Sequence, residues 1–184
     1  MRLHLSPIHI QISSEKIAQA RAFAKAVAQT TNYRDSNQLS IAKIETDHFI
    51  SKIGEEAVCE LYRLFGKACT PPDYAIYRGK KKSWEEDLKV EGKALAVKTQ
   101  SKSSARRYGL SWTFQDAATR KDPILQDPEA WVCFVGCNDE NEHYNCFVYP
   151  PYQIKELLFR DPKLAKLKGK KKVLYATDLP NLLH

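Results

Sequence analysis

The sequence predicts an α/β (α+β) domain built on a mixed central sheet, and three stretches carry the prediction. Residues 15–31 and 38–66 repeat apolar side chains at helical spacing. Residues 130–136 (AWVCFVG) form a near-continuous apolar run, the pattern of a strand covered on both faces. Residues 87–100 alternate apolar and polar positions around a Glu-Gly pair, which is a hairpin pattern. The chain has 184 residues, a length that suits one domain with one core. That domain is expected to span 1–184, with an N-terminal strand and helix over about 3–33 and a core over about 38–178.

Taken in order, Leu3, Leu5, Ile8, Ile10 and Ile12 alternate and predict a strand, with Pro7 at an edge or bulge. Ser13 or Ser14 can cap the Ala-rich helix that follows, and the turn residues from Asn32 to Asn37 end it. In 38–66, Ile44, Phe49, Ile50, Ile53, Ala57, Val58, Leu61, Leu64 and Phe65 fall at helical spacing. Gly54 marks a bend or a close contact, and Gly66 suits a helix C-terminus. Pro71 to Tyr77 reads as a turn into a short strand, and Arg78 to Lys82 as a basic loop. After the hairpin, Ser101 to Arg107 is polar and basic. Trp112 and Phe114 follow, on a stretch that can either pack on the core or face a nucleotide. A strand is expected over 146–149, closed by Pro150-Pro151. A helical pattern covers 152–167, with a break at Asp161-Pro162. A last short strand holds Val173 to Tyr175.

Composition narrows the function classes. No apolar run approaches the ~20 residues of a membrane span, and no signal-peptide pattern opens the chain. The five cysteines show no CxxC spacing, so they read as free thiols, with Cys133 and Cys137 buried. A reducing, cytoplasmic setting fits these features. The formal net charge is +7 and the pI about 9.1, which favours a polyanionic partner.

The hairpin carries the chemistry. With Glu91-Gly92 at the turn, Val90 pairs with Lys93, Lys89 with Ala94, Leu88 with Leu95 and Asp87 with Ala96. Leu88, Val90, Leu95 and Val97 then share a core face. Asp87, Ala96, Lys98 and Gln100 share the other. A carboxylate and a lysine thus converge near one end of the hairpin, between the basic segments Lys80–Lys82 and Lys102–Arg107. A carboxylate that holds a divalent cation, beside a lysine that orients or deprotonates water, is an arrangement for cleaving phosphodiesters.

These residues resemble the PD-(D/E)XK nucleases, a superfamily with many restriction endonucleases and junction resolvases. Ile53-Gly54-Glu55-Glu56-Ala57-Val58 is similar to the helix motif of that family. Asp87-Leu88-Lys89-Val90-Glu91-Gly92 is similar to its Asp motif, and Ala96-Val97-Lys98-Thr99-Gln100 to its return strand. A literal Pro72-Asp73 also exists, but only Asp87 lies across from Ala96 in the same hairpin. The resemblance covers roughly residues 45–150. It implies a restriction-endonuclease-like fold and an Mg²⁺- or Mn²⁺-dependent endonuclease acting on DNA, with RNA not excluded.

In that reading Asp87, Glu55 and the Val97 carbonyl hold the metal, Lys98 orients or activates water, and Gln100 positions water or phosphate. Lys80, Lys81, Lys82, Lys102, Arg106 and Arg107 contact phosphates. Ala96 stands where the family has its second acid, so another carboxylate must fill in. Glu55 is the first candidate, Glu56 the second, and Glu91 lies at the far end of the hairpin. A small nuclease often needs a homodimer to cut both strands of a duplex. Two alternatives stay open: a catalytically impaired nucleic-acid-binding protein on the same fold, and an unrelated α/β protein.

Overall fold

Two long helices, a mixed sheet and a smaller second sheet organise the described residues. A computed structural model describes residues 1–30, 40–76, 86–140 and 143–180. The expected basic loop with Lys80, Lys81 and Lys82, and the expected end of the first helix at 32–37, lie outside the described residues.

The main sheet contains β1 (Ile8–Gln11), β2 (Leu88–Val90), β3 (Lys93–Ser101), β6 (Trp131–Asn138), β7 (Asn145–Val148) and β8 (Tyr152–Gln153). Its order is β1-β7-β6-β3-β2. β3 and β6 run parallel and the other pairs antiparallel, so the sheet is mixed, as expected. The ladder on β6 passes from β7 to β8 across Pro150-Pro151, which have no N–H to donate. Helices α1 (Ser14–Thr30) and α2 (Ile41–Leu64) pack on each other and on one face of the sheet. A three-stranded sheet, β4 (Ser111–Ala117), β5 (Arg120–Lys121) and β9 (Lys171–Tyr175), ordered β5-β4-β9, covers the other face. A short helix, α3 (Lys102–Tyr108), links β3 to β4.

Period-2 alternation sorts the core between these layers. From β6, Cys133, Val135 and Cys137 join the cluster under the helices, while Val132 and Phe134 join the one under the small sheet. From β3, Leu95 and Val97 go to the helices, and Ala96 packs with the small sheet. This two-sided burial is why β6 reads as continuously apolar. Trp112 and Phe114 are buried core residues of the second cluster, which settles their reading as packing. The cysteines carry no disulfide, and Cys133 and Cys137 are buried.

Three expectations change. The N-terminal strand is confined to Ile8–Gln11, and Leu3 and Leu5 are exposed; Pro7 interrupts the ladder just before it. Residues 71–76 form no strand; pairing is confined to a bridge from Cys69 to Val90. Residues 152–167 form no α-helix. Tyr152-Gln153 extend the ladder on β6, and tight 3-10 turns follow at Ile154–Glu156 and Ala165–Leu167. Pro162 denies that segment a continuous helix.

Gly54 is a close contact. A Cβ added there would overlap Thr99 Oγ1 and lie 2.8 and 2.9 Å from Thr99 Cβ and Cγ2. The absence of a side chain seats α2 directly on β3. Gly54→Ala should therefore destabilise the chain by about 1–3 kcal/mol through overpacking. Thr99→Ala should restore only part of this, because the Cβ contact remains. Urea denaturation of the single and double variants measures both effects.

Candidate functional site

The hairpin forms in the predicted register over three pairs, Leu88 with Leu95, Lys89 with Ala94 and Val90 with Lys93, while the expected pair of Asp87 with Ala96 is not part of the ladder. Glu91 (φ 50°) and Gly92 (φ 76°) turn the chain, and positive φ at both centres is the geometry that two-residue hairpins prefer. Asp87 comes just before the ladder. Its N–H donates to Leu95 O (3.3 Å) and its Oδ2 accepts from Val97 N–H (2.8 Å). The N–H and C=O of a strand residue leave on the same side. The Val97 carbonyl therefore faces the edge that Asp87 occupies. Two oxygen donors of the predicted set are brought to one place.

Lys98 projects from β3 toward the small sheet. Its Nζ lies 4.9 Å from the centre of the Phe114 ring and donates to Asp122 Oδ2 at 2.7 Å. The pair is partly shielded, with side-chain exposures of 28% and 16%. One of the three ammonium donors is thereby used. Asp122 is fixed by its backbone, whose N–H donates to Gln115 O (2.8 Å). It precedes the Pro123 turn without capping it by side chain, so its carboxylate is turned to Lys98. Nothing in the sequence singles out Asp122. It stands 24 residues from Lys98, and only the packing of the second sheet brings them together.

The other predicted residues are placed elsewhere. α2 packs on the Thr99 side of β3, and Lys98 alternates to the opposite side. Glu55 thus belongs to the helical layer, where its Oε2 accepts from Lys52 Nζ at 2.5 Å, with both side chains buried. Lys52 also lies over the rings of Phe23 and Tyr74. Glu56 is buried as well and accepts from the Tyr74 hydroxyl (2.9 Å), with Lys16 at 3.3 Å. Its negative charge and burial together push the Tyr74 hydroxyl pKa up, with burial the larger cause. Glu91 accepts from Ala68 N–H (2.6 Å) at the far end of the hairpin. Gln100 spans the turn after α3: its Nε2 donates to Gly109 O (3.2 Å) and its Oε1 accepts from Ser111 N–H (2.8 Å). That amide fixes a backbone turn.

The predicted phosphate contacts divide too. Lys102 and Arg106 both reach Glu140, at 2.6 and 2.5 Å. These two cations hold the Glu140 carboxyl below the usual carboxylate range, the Lys102 hydrogen bond being the main cause. Arg107 is exposed.

Among the described residues, no group of three His, Cys, Asp or Glu side chains is assembled as a metal cage. Also among them, no helix is long and apolar enough to cross a membrane. No family model, curated protein or solved structure gave a significant match to the chain.

Proposed function

We propose that this chain is a metal-dependent deoxyribonuclease with a restriction-endonuclease-like PD-(D/E)XK site, hydrolysing DNA phosphodiester bonds. The observation that carries the reading is the hairpin: Asp87 accepts from the Val97 N–H at its open end, on the edge that the Val97 carbonyl also faces, with Lys98 the next residue on the same strand. The donor set suits Mg²⁺ or Mn²⁺. Mg²⁺ commonly takes one or two carboxylates and leaves its other positions to water and substrate phosphate.

Asp87 would hold the ion with the Val97 carbonyl. When bound, the ion offsets charge developing on the phosphate and makes water a better nucleophile. Lys98 offers its remaining N–H donors to a phosphate oxygen or to the attacking water. Asp122 restrains the lysine, and so supplies the carboxylate on that face which Ala96 does not. In this reading Glu55 and Glu56 serve the helical layer, and Gln100 serves the turn after α3.

A second reading, a nucleic-acid-binding protein that does not cleave, is favoured by Ala96 and by the lack of a three-carboxylate group among the described residues. Incubating plasmid DNA with Mg²⁺, Mn²⁺ or EDTA separates the two. Nicking that needs the ion and disappears in Asp87→Ala supports the nuclease. Binding without ion-dependent nicking supports the second reading.

A further inference from the structure

The cations of the small sheet are arranged differently from those around α3. β5 consists of Arg120 and Lys121, and its register sets Lys121 across from Asp116 and Arg120 across from Ala117. On the other side of β4, Lys171 pairs with Gln115, and Lys170 O accepts from Asp116 N–H. Lys168 lies just before, on the turn into β9. These residues gather at one end of the sheet, with Lys121 and Lys170 on the face of Asp116 and Arg120 and Lys171 on the face of Gln115.

Among the described residues, none of Arg120, Lys121, Lys168, Lys170 and Lys171 has a carboxylate within ion-pair distance. By contrast, Lys102 and Arg106 share Glu140. Asp116 is the acid inside the strip, and it acts on Lys172, which is itself paired with Asp161 (2.9 Å).

The strip adjoins the candidate site through covalent and hydrogen-bonded steps. Asp122 follows Lys121 directly, and its N–H is held by Gln115, the residue opposite Lys171. Lys171 is partly buried, and its pKa is lowered, by burial first. Lys98, Arg120 and Lys43 lower it further, while Asp47 acts in the opposite direction. Asp116 faces Lys121, Asp47 acts on Lys171 and Lys98 is paired with Asp122, but the strip itself carries five cations and one acid, so its net charge is positive. Cations gathered at the end of a sheet beside Lys98 suit a chain of phosphates.

We propose that Arg120, Lys121, Lys168, Lys170 and Lys171 form the surface on which the backbone of a nucleic-acid strand lies as it enters the Lys98 site. The proposal rests on the nuclease reading for where the strand leads, but its test needs only binding. Fluorescence anisotropy of a labelled DNA oligonucleotide, titrated at several salt concentrations, gives the slope of log affinity against log salt. Each lost phosphate contact should lower that slope by about 0.7–0.9.

Lys121→Gln/Lys170→Gln should lower the slope by about 1.4–1.8, with an unchanged circular dichroism spectrum. Lys25→Gln on α1 should leave it as in the wild type. An unchanged slope in the folded double variant would overturn the proposal. So would binding to phosphatidylserine vesicles that depends on these lysines when DNA is not bound. Ion-dependent nicking by the same preparations is scored separately. No ion-dependent nicking by the wild type, together with a lysine-dependent slope, would refute the nuclease and leave the surface standing.

Discussion

Lys98→Ala should reduce Mg²⁺-dependent nicking by about 10²- to 10³-fold, the usual cost of removing one donor aimed at developing charge. The loss should appear in the rate at saturating DNA rather than in affinity, because the strip on the small sheet still binds the backbone. Asp122→Asn is the informative companion. Its amide oxygen can still accept from the lysine, so the variant should keep most of the activity. Asp122→Ala removes the restraint and should lose about tenfold or more, as expected when a reacting group is misplaced. Lys98→Ala that nicks at the wild-type rate would remove the lysine from the chemistry and the PD-(D/E)XK reading with it.

The largest effect on stability is expected at Lys52. Its ion pair with Glu55 is inaccessible to water, with side-chain exposures of 5% and 4%. Removing the ammonium takes from the buried carboxylate the counter-charge that Lys52 supplies, a loss of about 3–5 kcal/mol. Lys52→Ala should shift the urea midpoint accordingly. Lys52→Met/Glu55→Leu should recover most of the stability, since an apolar pair of similar volume often replaces a buried ion pair without loss. The double variant also decides what Glu55 is for. If Glu55 serves the helical layer, the restored protein still nicks DNA. If it ligates the metal, the restored protein is folded and inactive. A shift in Lys52→Ala below about 1 kcal/mol would show that the pair contributes no more than a surface ion pair.

The legible part of the molecule is the part whose pattern is local. Strand alternation and a Glu-Gly turn were enough to place the hairpin and its register, because a slip by one residue would turn every apolar side chain outward. The presence of helices α1 and α2 and of the buried strand β6 followed from periodicity in the same way. The pattern over 152–167 misled because Ile154 and Leu157 are spaced as on a helix, yet they pack from short turns between β8 and β9. The candidate site was half legible. Asp87, Val97 and Lys98 lie within one hairpin. Asp122 depends on how a second sheet docks, and no local spacing encodes that. Glu55 fits a motif by position, but its surroundings depend on Lys52 one turn earlier and on α1. Those contacts belong to the tertiary fold.

The Lys98–Asp122 pair also has a meaning for engineering. Lys98 is rooted in the main sheet, while Asp122 and Phe114 belong to the small one. The proposed reactive group is thus also a seam between two layers. The small sheet cannot be exchanged as a cassette, as a recognition module on a separate linker could be, without redrawing the surroundings of the lysine. Any graft that alters substrate preference through this sheet must carry Gln115, Asp122 and Phe114 across unchanged.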